Sequence, residues 1–308
     1  MIDSRNKLPA GTILDEYIIQ KTLGGGGFSF VYLASHPERN KTVVIKEYFP
    51  HQLAVRNDDN SVSPISSKTA PRLQSGRTLF LQEAEILAHL SHPNIVNVTC
   101  FFHANDTVYM AMDFHPGVNL QSYIARHKGG LSSRFLLTVF PPLLDALSCL
   151  HQGGYLHQDI KPGNIYLRKG GNPLLLDFGA AHRRLLGRLF QSGQITTAGF
   201  TPIEQYRRNG YVGPWTDVYA IGASMRACIE GKSPQDTRER EKKDKMRPAV
   251  QAYRKRYQRE LLELIDWATE LDPMLRPQTT EELRVALIKL DQENHLLQAT
   301  TSTGASGH

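Results

Sequence analysis

The pattern of apolar residues changes near residue 115, and this change constrains the fold more than any other feature of the sequence. Before it, short segments rich in β-branched and aromatic residues predict five strands: Ile13 to Leu23, Phe30 to Ala34, Thr42 to Lys46, Val96 to His103 and Thr107 to Phe114. One helix is expected among them, from about Thr78 to Leu90, because its large aliphatic residues fall on one face. After the turn at His115-Pro116-Gly117 the pattern predicts helices: Asn119 to Lys128, Ser132 to Gln152, Thr216 to Glu230, Tyr253 to Glu270 and Thr280 to Asp291. We therefore predict an α+β chain of two lobes with a cleft between them.

Two segments interrupt this pattern. Residues Arg56 to Gly76 are rich in Asn, Asp, Ser and Pro, which predicts an irregular excursion between a strand and the helix. The small polar residues from Ala299 to His308 predict disorder. We expect an N-terminal extension at 1–12, a β-rich lobe at 13–114, a helical lobe at 115–290 and a disordered tail at 291–308.

Composition favours a cytoplasmic location without membrane insertion. The longest apolar stretch, Phe135 to Leu150, is broken by Pro141, Pro142 and Asp145. It is also shorter than the roughly 20 residues of a membrane-spanning helix. The amino terminus lacks the apolar core of a secretion signal. Three widely spaced cysteines fit buried thiols in a reducing compartment better than a disulfide framework.

The net charge of +6 is concentrated between Arg238 and Arg259, where acidic residues are interleaved with basic ones. We interpret this stretch as a mostly solvated helical region, with a binding patch as the alternative. We predict no nucleic-acid partner.

One short stretch carries most of the chemistry. His157-Gln158-Asp159-Ile160-Lys161-Pro162-Gly163-Asn164 supplies a carboxylate, an ammonium and an amide, and Asp177-Phe178-Gly179 follows. Phosphoryl transfer needs a group that orients the attacking hydroxyl and others that hold magnesium on the triphosphate. Upstream lie a glycine run from Gly24 to Gly27 and Val43-Val44-Ile45-Lys46. Glycines allow backbone amides to approach phosphate closely.

These motifs, in this order, resemble those of eukaryotic-type (Hanks-type) serine/threonine protein kinases. The resemblance extends from about Ile13 to Leu290. The motifs G-F-T-P-I-E-Q-Y and I-K-E-Y-F-P are similar to those of bacterial members of the family. It implies a two-lobed protein-kinase fold, with a five-stranded antiparallel sheet plus helix C in the N-lobe and a larger helical C-lobe. It also implies ATP and Mg²⁺, or Mn²⁺, as cofactors.

By this resemblance the catalytic residues are Asp159, Lys161, Lys46 and Glu83. Glu83 is preferred to Glu85 because it lies nine residues before the His of His92-Pro93-Asn94-Ile95-Val96. Asn164 and Asp177 would hold the metal. The nucleotide would contact Leu23, Gly24, Gly25, Gly26, Gly27, Phe28, Ser29, Val31, Val44, Lys46, Met112, Asp113, Phe114, His115, Asn164, Tyr166 and Asp177.

Several positions depart from the family pattern. Ser29 replaces a glycine, Val44 an alanine and Tyr166 an aliphatic residue, so the detailed shape of the nucleotide pocket stays open. Gln158 replaces an arginine that in many members binds a phosphorylated residue of the activation segment. This non-RD loop predicts activity that does not require such a phosphate, unless Arg183 or Arg184 substitutes as its anchor.

The segment from Asp177 to Glu204 corresponds to the activation segment. Within it, Thr197 is expected to contact the catalytic Asp and Lys, as in serine/threonine kinases. Glu204 is expected to form a buried ion pair with Arg276, and Asp217 to hold the catalytic loop.

The resemblance implies transfer of phosphate to Ser and Thr of protein substrates. It also implies autophosphorylation, possible self-association for reaction in trans, and signal transduction. Two other functions are weighed against it. A pseudokinase scaffold is disfavoured because Lys46, Glu83, Asp159, Asn164 and Asp177 are all present. A small-molecule phosphotransferase is disfavoured by the activation segment with Glu204 and Arg276.

Overall fold

The structure is a computed structural model that describes residues 6–177, 182–183 and 196–303. The chain divides into two compact units. Unit 1 comprises residues 1–91 and 96–115, and unit 2 comprises residues 92–95 and 116–308.

Unit 1 is built on one antiparallel sheet of six strands. The strands are β1 Ile13–Leu14, β2 Tyr17–Gly25, β3 Ser29–His36, β4 Lys41–Tyr48, β7 Val98–Ala104 and β8 Thr107–Asp113. Their order across the sheet is β1-β2-β3-β4-β8-β7. All five predicted strands are present. The first is divided in two because Asp15 adopts a left-handed backbone (φ 51°), which turns the chain after β1.

The predicted excursion after β4 is more ordered than its composition indicated. It contains a hairpin of β5 (Ala54–Arg56) and β6 (Val62–Pro64), followed by helix α1 (Ala70–His89). The helix begins eight residues before the predicted start at Thr78. Pro71 lies in its first turn, where its fixed φ and missing N–H are tolerated. The apolar pattern missed this first part because Leu73 is its one buried aliphatic residue before Phe80.

A buried carboxylate attaches the hairpin to the sheet. Glu47 is fully buried and accepts hydrogen bonds from Tyr32 Oη (2.8 Å), Tyr109 Oη (2.6 Å) and Arg56 Nη2 (2.7 Å). Arg56 also donates to the main-chain oxygens of Asn6 and Asn60. A buried charge is tolerated only when it is paired and its hydrogen bonds are satisfied. The cluster therefore holds the N-terminal segment, the hairpin and the sheet together.

Unit 2 is mainly helical. Its helices are α2 Leu120–His127, α3 Ser133–Gln152, α4 Ile203–Tyr206, α5 Pro214–Glu230, α6 Thr237–Lys242, α7 Ala249–Tyr253, α8 Arg259–Ala268 and α9 Thr280–Thr303. The short strands β9 Gly117–Asn119, β11 Ile165–Arg168 and β12 Pro173–Leu175 form one small sheet, and β10 Tyr155–Leu156 pairs with β13 His182–Arg183. Within the described ranges, α3 is the one helix long and apolar enough to cross a membrane, and 56% of its most apolar window is buried. It packs against α5, α9 and β12, as the core helix of a globular unit does.

Two predictions at the C-terminal end are wrong in extent. The helix predicted from Tyr253 to Glu270 is instead the short α7 and a separate α8. Between these two helices the hydroxyl of the buried Tyr257 donates to the main-chain oxygen of Leu131 at 2.9 Å. Residues 291–303 continue α9, whereas a disordered tail was predicted from 291. Ion pairs at helical spacing, Lys289–Glu293 and Asp291–His295, support this continuation.

Candidate active site

The glycine run forms the turn between β2 and β3 in unit 1. Gly24 pairs with Val31 in the sheet, and the Gly26 N–H donates to Ser29 O at 2.9 Å. The backbone conformation does not require glycine at Gly24, Gly26 or Gly27, because none of these residues has a positive φ. A Cβ added to any of these three would meet no atom within 4 Å. The missing side chains therefore leave open space outside the hairpin, as close approach of a phosphate to the backbone requires.

Lys46 and Glu83 form a buried ion pair. Nζ of Lys46 on β4 lies 2.8 Å from Oε1 of Glu83 on α1, and the two residues are 8% and 5% exposed. The predicted choice of Glu83 is thus the one whose carboxylate meets the lysine. Lys46 also lies over the ring of Phe80, 5.5 Å from its centroid. This packing holds the ammonium group in one position at the sheet surface.

Three apolar residues share the sheet face of Lys46. In the strand register Val31 lies opposite Lys46, and Val44 lies opposite Met112. Because side chains alternate between the faces of a strand, Val31, Val44, Lys46 and Met112 point the same way. The three apolar side chains are half-buried, unlike the fully buried residues of the opposite face. They supply a flat apolar surface of the kind that a purine ring would cover.

The remaining predicted nucleotide contacts of unit 1 lie at the ends of these strands. Leu23 and Phe28 are exposed, and Ser29 is half-buried. Asp113 ends β8, with its side chain bonded to Lys41 (2.6 Å) and Asn97 (2.8 Å), and Phe114 and His115 follow it.

The catalytic-loop residues of unit 2 converge on one carboxylate. Nζ of Lys161 lies 2.9 Å and 2.7 Å from the two carboxylate oxygens of Asp159. The same ammonium lies 3.2 Å from Oγ1 of Thr197, which donates to Asp159 at 3.3 Å. Nδ2 of Asn164 donates to Asp159 Oδ2 (3.0 Å) and to its main-chain oxygen (2.9 Å). Asp159 is therefore held in one orientation by three neighbouring side chains.

Asn164 and Asp177 are brought close by the backbone. The N–H of Leu176 donates to Asn164 O at 2.8 Å, so Asp177 follows directly after this contact. The side-chain nitrogen of Asn164 donates to Asp159, so the Oδ1 atom of Asn164 points away from Asp159. Asp177 is exposed and has a left-handed backbone (φ 58°). One carboxylate and one amide oxygen fit Mg²⁺, which is usually held by few protein ligands and by substrate phosphates. Phe178 and Gly179 lie outside the described residues.

Asp217 supports the catalytic loop from the buried helix α5. Its carboxylate accepts from the N–H of His157 (2.9 Å), the N–H of Gln158 (2.8 Å) and Nε2 of His151 (2.7 Å). Burial alone would raise the pKa of Asp217, but the His151 hydrogen bond and the nearby histidines hold the pKa below its usual value. Burial lowers the pKa of His157, against the opposing charges of Asp217, Asp159 and Asp177. The loop therefore rests on an ionised aspartate and a neutral histidine at neutral pH.

Comparison with known proteins agrees with this geometry. The protein kinase domain family matches residues 17–288. The chain belongs to the protein kinase family. Among solved structures, the kinase chain is similar to "PpkA-294 apo form", with 37% identity, a TM-score of 0.83, and coverage of 92% of this chain and 99% of that one. The predicted resemblance and the protein-kinase fold are therefore confirmed.

Curated relatives include bacterial and animal kinases. Serine/threonine-protein kinase D of Synechocystis sp. is 29% identical over 90% of this chain and 53% of its own length. Sperm motility kinase 2B of Mus musculus is 28% identical over 86% of this chain and 50% of its own length. The chain thus spans about half the length of these relatives.

The kinase contains the predicted ion pair at the end of the activation segment. Arg276 donates through Nη1 and Nη2 to the two carboxylate oxygens of Glu204, at 2.7 Å and 3.2 Å, and both residues are buried. Thr216 donates to the same carboxylate at 3.0 Å. The ion pair joins α4 to the segment that contains Arg276, and the Thr216 hydrogen bond joins α4 to the start of α5, the helix that carries Asp217. Arg184, a possible phosphate anchor, and Ser192, a hydroxyl of the same segment, lie outside the described residues, as does the side chain of Arg183.

Sequence reasoning missed three polar residues that position the kinase loop. His151 bonds Asp217, as described above. Gln205 Nε2 donates to the main-chain oxygen of Gln158 at 2.9 Å, and Thr201 Oγ1 accepts from the N–H of Thr197 at 2.8 Å. Nothing in their local sequence distinguishes them, because each acts on a residue brought near only by folding. Tyr166, on β11, is half-buried, and burial raises its pKa.

Proposed function

We propose that this kinase transfers the γ-phosphoryl group of ATP to serine and threonine hydroxyls of proteins, including its own chain, in the cytoplasm. The observation that carries the proposal is the joint contact of Lys161 Nζ with Asp159 and with Thr197. This contact supports a role for Asp159 as acceptor of the hydroxyl proton and for Lys161 as the adjacent positive charge. The relatives named as serine/threonine kinases support the same substrate class.

Each residue of the set has a chemical task. Asp159 orients the substrate hydroxyl and accepts its proton, which can leave late because the transition state is loose. Lys161 neutralises charge on the phosphoryl group in transit. Lys46, held by Glu83, would bind the α- and β-phosphates. Bound Mg²⁺, held by Asn164 and Asp177, would stabilise negative charge on the phosphate oxygens.

Thr197 favours serine and threonine as acceptors. Its hydroxyl is bonded to both Lys161 and Asp159, so it occupies the edge of the site where the substrate hydroxyl must arrive. A lysine two residues after the catalytic aspartate is the serine/threonine type of loop, whereas tyrosine kinases usually carry an arginine further along.

Gln158 supports activity without a phosphorylated activation segment. Its N–H is bonded to Asp217 and its main-chain oxygen to Gln205, so the backbone is already held without a charged side chain. A neutral amide cannot replace arginine as a phosphate anchor. We expect the dephosphorylated kinase to keep its activity after single alanine substitution of Ser192 or Thr196. Thr201 is tested by phosphate removal alone, because its hydroxyl accepts a hydrogen bond from the N–H of Thr197. A requirement for phosphate at any of them would contradict this.

The decisive experiment is mass-spectrometric mapping of phosphosites after incubation with magnesium and ATP. We expect phosphate on Ser and Thr of the kinase and of a generic protein substrate. Asp159→Asn should lower transfer at least about hundredfold, the scale of losing a positioned proton acceptor. Lys46→Ala should also abolish it. Asp58→Asn, at an exposed aspartate, makes the same chemical change as a matched control.

The outcomes separate the alternative functions. Nucleotide binding with no phosphate transfer would indicate a pseudokinase scaffold. Phosphate on metabolites alone would indicate a small-molecule phosphotransferase. If self-phosphorylation occurs in trans between associated copies, its rate per molecule should rise with kinase concentration. A rate independent of concentration would limit the reaction to one chain.

A further inference from the structure

A group of five basic side chains lies on the surface of unit 2. We call it the basic face; its members are Lys232, Lys242, Lys243, Lys245 and Arg247, and all five are exposed. Four of them, all but Lys232, belong to the most basic part of the chain. Between Arg238 and Arg259 there are ten basic and three acidic residues, so this stretch alone is more positive than the whole chain at +6.

The sequence favoured a solvated surface here because acidic residues alternate with the basic ones. The structure shows that these acids are used elsewhere. Asp244 pairs with the buried Arg240 at 2.9 Å, and Glu241 pairs with Arg207. Glu230, just before the stretch, pairs with Arg226 at 2.6 Å.

The basic face itself is not neutralised. None of its five members forms an ion pair with another residue in the described part of the chain. Glu239 is the remaining acid beside it. The net positive potential of this surface is therefore larger than the sequence pattern indicated, and the binding-patch alternative gains support.

Three members of the basic face, Lys232, Lys245 and Arg247, line an open cavity of about 660 Å³. Two acidic residues also line it: Glu230, which is paired with Arg226, and Glu239. A cavity with several cationic side chains at its rim can receive carboxylate side chains from an extended peptide. A membrane surface would instead be flat, and peripheral binding usually adds apolar anchors. None of the large apolar side chains exposed in the described ranges lies between Lys232 and Tyr253.

This surface is connected to the candidate catalytic residues. Thr237, at the start of α6, donates to the main-chain oxygen of Thr201 at 2.9 Å. Thr201 in turn accepts from Thr197, which contacts Asp159. The backbone at Gly199 lies so close to Pro234 that an added Cβ would be 2.4 Å from its oxygen. A peptide whose hydroxyl reaches Asp159 thus passes near the element that leads into the basic face.

We propose that the basic face docks an acidic segment of the protein substrate, separate from the residue that receives phosphate. The proposal rests on the proposed protein-kinase function for the identity of the partner. Opposite charges at an interface steer encounter and select among partners. The kinase would therefore prefer substrates that carry a separate run of aspartate and glutamate in the same chain as the phosphorylated serine or threonine.

The test uses two peptides of equal length that share one serine-containing core. One carries a run of aspartate and glutamate after the core, and the other carries asparagine and glutamine. Binding is measured by fluorescence anisotropy, and phosphorylation by kcat and KM. Lys243→Glu with Lys245→Glu reverses two charges of the basic face. Lys68→Glu with Lys169→Glu makes the same net change at exposed lysines outside it.

We expect the natural kinase to bind the acidic peptide about tenfold more tightly than the neutral one, from several weak exposed charge contacts. The double reversal in the basic face should remove this preference, raise KM for the acidic peptide about tenfold and leave kcat unchanged. The control pair should change neither value. Added salt should weaken the preference.

Other outcomes would overturn the proposal. Equal binding of both peptides, or a preference that survives the reversal, removes the docking role. Tighter binding of anionic phosphatidylserine vesicles or of single-stranded RNA than of the acidic peptide assigns the face to another partner. Anisotropy separates this from the proposed function: binding without phosphorylation of either peptide would refute the kinase activity but not an acidic-segment site.

Discussion

Arg276→Ala should destabilise unit 2 strongly, because it removes one partner of a fully buried ion pair. Arg276 is 2% exposed and donates two charge-assisted hydrogen bonds to Glu204. It also donates to the main-chain oxygens of Glu270, Leu271 and Trp215. The substitution leaves the buried Glu204 carboxylate with the Thr216 hydroxyl and leaves three carbonyls without this donor.

The expected cost is roughly 3–5 kcal/mol, the range for an uncompensated charge left in a protein interior. For a unit of this size, that corresponds to a fall in melting temperature of roughly 6–20 °C. The assay is urea and thermal unfolding followed by tryptophan fluorescence. The chain has two tryptophans, Trp215 and Trp267, and both lie in unit 2, so the signal reports this unit alone.

Arg259→Ala is the matched control. Arg259 forms an ion pair with Glu263 at 2.6 Å, but its side chain is 75% exposed and its partner is 49% exposed. Water replaces the lost contact there, so we expect no measurable change in unfolding. If the two alanine variants unfold alike, burial does not determine the strength of these pairs and our account of Glu204 is wrong.

Three further predictions follow from the described geometry. Burial in the folded protein holds the pKa of His157 below its usual value of 6.5, so below pH 6.5 the unfolded chain binds more protons than the folded one. The free energy of unfolding should therefore fall as the pH decreases. His157→Phe should flatten this pH dependence in urea titrations followed by tryptophan fluorescence, and an unchanged slope would refute the prediction. Gly26→Ala should leave the melting temperature nearly unchanged but raise KM for ATP several-fold, since the added Cβ meets no protein atom; an unaffected KM would mean that no ligand approaches this backbone. Glu47→Gln should destabilise unit 1 by roughly 3–5 kcal/mol through the buried charge left on Arg56, measured by hydrogen exchange along β4, and full protection there would contradict the prediction.

The sequence predicted one contact of the site but missed part of the fold around it. The pairing of Lys46 with Glu83 was predicted correctly, because motif order and spacing specify which glutamate lies opposite the lysine. The hairpin at 54–64 was missed, because each of its strands has only three residues and Arg56 attaches it to the buried Glu47. Composition predicts such a segment to be irregular, because it carries no information about an ion pair that forms only on folding.

The sequence by itself determined the chemistry of this protein. The residue types on the loop from His157 to Asn164 and the glycine run before Val31 identify a phosphoryl-transfer family, because few side chains can perform those tasks. Tertiary structure alone decided which charges neutralise one another. Asp244 pairs with the buried Arg240, and its neighbouring lysines form no ion pair with any residue that the structure describes. Asp217 holds a loop some 60 residues away in the chain. Ion-pair energies depend on distance and burial in three dimensions, and neither quantity can be obtained from the order of residues.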